Sequence, residues 1–124
     1  MKGMSKMPSY IIDGGKRLEG EVDVSGSKNA SLPILASSIL NSGTTKLYNV
    51  PEIRDTRITQ EILKFLGCKV KKHKGKIEIN SKNITKKEIP EHLMHQMRST
   101  VILAGAILGR FREVRFSYPG DCDI

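Results

Sequence analysis

The densest cluster of chemistry in the chain is Ser25-Gly26-Ser27-Lys28-Asn29-Ala30. It falls where an alternating run gives way to a helical one. A helix N-terminus there offers unpaired amides and the positive end of its dipole to an anion. Gly26 lets the backbone come close, and Lys28 adds a full charge. The second glycine and the Gly-Lys-Ser/Thr spacing of a Walker A loop are missing, and a plain helix cap with a surface lysine competes with the anion-site reading. Arg98, beside Met97 and ahead of Val101 to Leu103, either snorkels to solvent or offers its planar fork of donors to a phosphate or sugar. Cys122 lies between Asp121 and Asp123, whose charges raise a thiol pKa unless a cation or a bound substrate opposes them. It reads as a reactive loop thiol or as a chance surface cysteine, whereas Cys68, after Leu66-Gly67, reads as a small buried residue. His92 and His95 stand three apart, but no third metal ligand follows the pattern. There is no Ser/His/Asp arrangement and no GxGxxG.

The elements that must position these groups follow from periodicity. SYIID and EGEVDVSG read as two short strands around Gly14-Gly15-Lys16, with Val22 and Val24 alternating against Glu21, Asp23 and Ser25. Leu32, Leu35, Ala36, Ile39 and Leu40 then form one stripe of an amphipathic helix. Pro33 is best tolerated in a first turn, which predicts a start near Asn29 or Ala30 and an end at Asn41-Ser42-Gly43. TTKLYNV is a strand broken by Pro51. A second helix carries Ile58, Ile62, Phe65 and Leu66, capped by Asp55 or Thr56 and stopped by Gly67. Cys68 to Lys72 and Lys76 to Asn80 form a hairpin around His73-Lys74-Gly75. A third helix is expected from about Glu91 to Gly109, with Arg98 inside it, and a last strand from Arg112 to Ser117.

One pattern repeats. Ile34-Leu35-Ala36-x-x-Ile39-Leu40 returns 68 positions later as Ile102-Leu103-Ala104-x-x-Ile107-Leu108, and the same offset carries Tyr48 to Phe116 and Pro51 to Pro119. Each copy is a helix, a strand and a proline-containing loop. In the first copy the chain continues from Asp55 into a helix and a hairpin. In the second, Asp123 is the counterpart of Asp55, so the expectation is a chain that stops one helix and one hairpin short of a complete second unit.

A length of 124 residues suits about one domain, and 38% hydrophobic with 27% charged residues excludes both a disordered and a membrane-spanning chain. The longest apolar run, Val101 to Leu108, is far too short for a bilayer, and the lysines of MKGMSKMPSY precede no apolar h-region. The expected location is cytoplasmic. Net charge is +8, concentrated in Lys69, Lys71, Lys72, Lys74 and Lys76. Such a run attracts polyanions, but with 5% aromatic residues and none interleaved, a solvated hairpin rim is the reading preferred over nucleic-acid binding.

GGKRLEGEVDVSGSKNASLPILASSIL, NVPEIRDT, LGCKV, MRSTVILAGAILGRF and YPGDCDI together resemble, in order, the N-terminal part of the UDP-N-acetylglucosamine 1-carboxyvinyltransferases, which are enolpyruvyl transferases. The resemblance implies an α/β (α+β) fold of repeated βαβαββ units, the inside-out α/β barrel, with the first unit and part of the second present. Strands within 1–26 would pack with an absent second domain, and 27–124 would form an incomplete first domain. The implied reaction moves the enolpyruvyl group of phosphoenolpyruvate to the 3′-hydroxyl of UDP-N-acetylglucosamine, the first committed step of peptidoglycan synthesis. It proceeds by addition then elimination, with no metal or organic cofactor. By similarity Lys28 binds phosphoenolpyruvate, Asn29 and Arg98 position the substrates, and Cys122 is the general acid toward the methylene carbon and the thiol alkylated by fosfomycin.

Two departures stand out. Asp121 replaces the second glycine of the family's Pro-Gly-Gly-Cys loop, adding a charge and removing a flexible position. The family chain is also several times longer, so the isolated 124 residues are expected to be inactive and to need the missing C-terminal part, or a second chain, as partner. Alternatives from the same residues are a non-catalytic anion- or nucleic-acid-binding module and one half of a split enzyme.

Overall fold

The computed structural model describes residues 9–117. Residues 9–27 run without a strand, and Val22 and Val24 are exposed. This corrects the two early strands. An alternating pattern becomes a strand only when a neighbour supplies the hydrogen-bonded ladder, and among the described residues none does so.

Helix α1 spans Lys28–Ser37. Its cap is Ser27, whose Oγ accepts from the Ala30 amide at 3.4 Å, while the Ser31 hydroxyl donates to the Ser27 carbonyl at 2.7 Å. The helix thus starts one residue before the position that Pro33 suggested, and Pro33 falls in its second turn. The cost is small, since the Asn29 carbonyl that loses its partner lies on an exposed residue. Leu32, Leu35, Ala36 and Ile39 are buried as the stripe predicts, whereas Leu40 is exposed and the helix ends at Ser37, short of Asn41-Ser42-Gly43.

Strand β1, Thr44–Tyr48, joins the hairpin of β2, Lys69–His73, and β3, Lys76–Asn80, in an antiparallel sheet of order β1-β3-β2. Between them runs α2, Arg54–Leu66, which buries Ile58, Ile62, Leu63 and Leu66 against the sheet and α1. Each such fully buried side chain contributes about 1.5–3 kcal/mol. Thr56, not Asp55, secures the start of α2. Its Oγ1 accepts from the Ile53 amide at 3.3 Å and donates to the Pro51 carbonyl at 2.7 Å. Gly67 stops the helix at φ 112, and a Cβ there would stand 2.7 Å from the Asn83 carbonyl oxygen.

The single third helix divides into α3, Glu91–Met94, and α4, Thr100–Phe111. The Thr100 hydroxyl donates to the Met97 carbonyl at 2.9 Å across the start of α4. Arg98 therefore sits in the break, not inside a helix. After α4, Arg112 turns left-handed at φ 58, and the expected last strand is reduced to one parallel bridge between Glu88 and Arg115.

The helical part of the internal repeat holds residue by residue, while the strand of the second copy is reduced to the bridge at Arg115. Leu35, Ala36 and Ile39 of α1 are buried, and so are Leu103, Ala104 and Ile107 of α4. Ile34 and Ile102 are 47% and 42% exposed, and Leu40 and Leu108 55% and 50%. The two helices pack side by side, and Arg110 ties them to the sheet by donating to the carbonyls of Ile39 and Ser81 at 2.8 and 2.7 Å. The exposed apolar positions Ile34, Leu40, Ile102 and Leu108 repeat as well.

Candidate functional site

Three helices begin at one place. The N-terminus of α1 carries Lys28 and Asn29, that of α2 carries Asp55, and Gln96, Arg98 and Ser99 lead into α4; all line an open concavity of about 410 Å³. Helix N-termini present unpaired amides and partial positive charge, so their convergence makes a local environment for an anion that no single helix provides. Lys28 and Arg98 add full charges at its rim. The floor is apolar, from Leu32 and Met97.

The entry to α1 is held from outside the helix. The Gly26 amide donates to Asn49 Oδ1 at 3.2 Å, and a Cβ on Gly26 would stand 1.9 Å from the Asn49 carbonyl oxygen. Only glycine fits this approach. Asn49 itself takes φ 55, and its amide donates to the Gly75 carbonyl at 3.1 Å. The hairpin tip, the β1 exit and the Ser25–Lys28 turn are thereby one linked structure.

Lys28 Nζ lies 2.6 Å from Asp55 Oδ2, with the lysine about half exposed and the carboxylate largely covered. An ion pair this exposed is worth about 1 kcal/mol or less. A phosphate, which carries more charge and is met by the same helix ends, can displace the carboxylate. Asp55 thus holds the ammonium over the concavity.

The structure brings Lys28, Asn29 and Arg98 together as the sequence reading requires, Arg98 from the break before α4 and not from a helix. Asp55 and Gln96 were missed as site residues. Asp55 was read as a cap, and nothing in the spacing of Gln96 marks it out. Cys122, with the expected loop around it, lies outside the described residues. Cys68 is buried as expected, and burial pushes its thiol up to about 11, which leaves it protonated and unreactive near neutrality. His95 Nε2 faces Glu91 at 3.5 Å, and among the described residues no three metal-ligating groups converge.

Comparison with known proteins gives a consistent picture. The EPSP synthase family (3-phosphoshikimate 1-carboxyvinyltransferase) matches residues 12–124. UDP-N-acetylglucosamine 1-carboxyvinyltransferase 2 of Caldanaerobacter subterraneus subsp. tengcongensis is 44% identical over 118 residues, covering 95% of this chain and 28% of that protein. UDP-N-acetylglucosamine 1-carboxyvinyltransferase of Desulfatibacillum aliphaticivorans is 42% identical over the same length, again with 95% and 28% covered. The crystal structure of the enolpyruvyl transferase NikO from Streptomyces tendae superposes with a TM-score of 0.70 at 24% identity, over 79% of this chain and 23% of that one. The likeness to that solved structure bears on the fold. The chain spans about 28% of the length of the curated relatives it matches.

Proposed function

This chain belongs to the EPSP synthase family, and from that premise we propose that it forms one wall of the active site of an enolpyruvyl transferase acting on phosphoenolpyruvate and UDP-N-acetylglucosamine. The observation that carries the reading is the convergence of three helix N-termini with Lys28, Asn29 and Arg98 on one concavity. Relatives named for the aminosugar reaction, at 42–44% identity over nearly the whole chain, favour UDP-N-acetylglucosamine over a shikimate acceptor.

In the proposed mechanism Lys28 leaves Asp55 for the phosphoenolpyruvate anion, and the helix amides share the charge. The 3′-hydroxyl oxygen bonds to the substrate's second carbon and gives up its proton to a base supplied by the longer enzyme, as the methylene carbon takes a proton. Cys122 supplies that proton as general acid. Elimination then returns a methyl proton to the Cys122 thiolate and breaks the bond to phosphate, which leaves with the hydroxyl proton as the enol ether is released. Asn29 and Arg98 orient the two substrates. No residue in this account requires a metal or an organic cofactor. The setting we propose is peptidoglycan precursor synthesis in the cytoplasm; among the described residues no helix is long and apolar enough to cross a membrane. The segment 1–26 is proposed to complete its strands against the second domain of the longer enzyme. Residues 27–124 form part of the first domain.

Binding can be tested on the chain itself. Titration of isotopically labelled protein with phosphoenolpyruvate is expected to shift the amide resonances of residues 26–30 and those at the starts of α2 and α4, and Lys28→Ala is expected to remove these shifts. Shifts scattered over the hairpin instead, or unchanged by Lys28→Ala, would place the anion elsewhere.

A further inference from the structure

The sheet has two faces of different chemistry. Rows Thr45–Ile79–Val70 and Leu47–Ile77–Lys72 include the inward Ile77 and Ile79, which join the core. Because side chains alternate, the outer face carries the rows Thr44–Asn80–Lys69, Lys46–Glu78–Lys71 and Tyr48–Lys76–His73. That is four lysines against one carboxylate. Glu78 is already taken by Lys76 at 2.5 Å, and Asn80 Nδ2 donates to Thr44 Oγ1 at 2.9 Å. Among the described residues, Lys46, Lys69 and Lys71 make no ion pair. The field is felt at Glu78, whose carboxyl is held below the usual range by its hydrogen bond from Lys76, with Lys46 and His73 adding to the effect.

Tyr48 changes what such a face can hold. It comes from a segment remote from the lysine run, yet the register sets it beside Lys76 and two residues along β1 from Lys46, with 69% of its surface exposed. Residues two apart on a strand stand about 6.6 Å apart, and neighbouring strands about 4.8 Å. The unpaired ammonium groups are therefore spread over a flat surface with an aromatic ring at one end. An anionic lipid surface would be met by the lysines alone and leaves the ring unused. An acidic peptide has no use for an exposed ring next to cations. A chain that repeats phosphates and carries stackable bases uses both.

We propose that the outer face of this sheet binds single-stranded nucleic acid without sequence preference, through Lys46, Lys69 and Lys71 on phosphates and Tyr48 stacked on a base. The site is separate from the Lys28 concavity and does not depend on the enolpyruvyl reading.

The test is fluorescence anisotropy of a labelled oligothymidine titrated with the full 124-residue chain over a range of salt. Three phosphate contacts give a slope of about −2 for log K against log salt. Lys69→Gln with Lys71→Gln should bring it to about −0.7, and Lys46→Gln alone to about −1.4. Tyr48→Ala should weaken binding about tenfold with the slope unchanged, since it removes stacking and no charge. Lys28→Ala should change nothing. Circular dichroism checks that each solvent-face variant keeps the fold. Absence of binding at low salt, equal binding by Tyr48→Ala, or preference for inorganic polyphosphate or anionic phosphatidylserine vesicles over the oligonucleotide would each overturn the proposal.

Discussion

Replacing Lys28 by alanine is expected to lower kcat/KM for phosphoenolpyruvate by about a hundred- to a thousandfold in a chimera that joins this chain to the remaining length of the Caldanaerobacter relative. Lys28 is the one full positive charge on the α1 terminus, and the helix amides around it carry only partial charge. Without it, Asp55 faces the same concavity without its ion-pair partner, so the change both removes an attraction and exposes a repulsion to the phosphate. Lys28→Arg is expected to restore part of the loss, because charge is kept while the planar fork fits Asp55 and a phosphate differently. Steady-state kinetics with phosphoenolpyruvate varied checks this. A loss that Lys28→Arg leaves untouched, with an unchanged melting temperature, would show that lysine acts there through something other than its charge.

The second large effect concerns Cys122. General acid catalysis contributes about 10²–10⁴-fold, so Cys122→Ala in the same chimera is expected to lower kcat by that order. The variant should also lose the alkaline limb of the pH–rate profile that deprotonation of the thiol produces. Asp121→Gly takes a carboxylate away from the position next to Cys122 in the sequence, and is expected to move that limb downward. Thiol alkylation separates the two cysteines. Cys68 is buried with its thiol pushed up to about 11, so alkylation of the folded 124-residue chain near neutral pH is expected to fall on Cys122 and to be lost in Cys122→Ala. Activity that survives both Cys122→Ala and alkylation would remove the thiol from the mechanism.

How much of this was legible in the sequence depends on whether local or distant residues decide it. The buried part of the α1 stripe, the Gly67 stop and the hairpin are set by neighbours three or four positions away or by a single φ-permissive residue, and they appear where the pattern places them, although α1 ends at Ser37 and Leu40 is left exposed. The early strands fail because a strand is a property of a pair, and Val22 and Val24 have no partner among the described residues. The third helix is interrupted between Met94 and Thr100, and hydrophobic spacing, which continues through this stretch, does not record the interruption. That break carries Arg98 to the concavity. Asp55 was visible as an acidic residue at a helix start, but only the meeting of α1 with α2 sets it against Lys28. In the same way the lysine run was plain in the sequence, whereas the ring that shares its face comes from β1 through sheet register.

The most direct measurement of the central claim is phosphate release by the unaltered chimera, followed with and without UDP-N-acetylglucosamine. If this chain forms one wall of the enolpyruvyl transferase site, phosphate is released from phosphoenolpyruvate only when the aminosugar nucleotide is present, one for each enol ether formed. A chimera that melts like the parent enzyme yet releases no phosphate with both substrates present would contradict it.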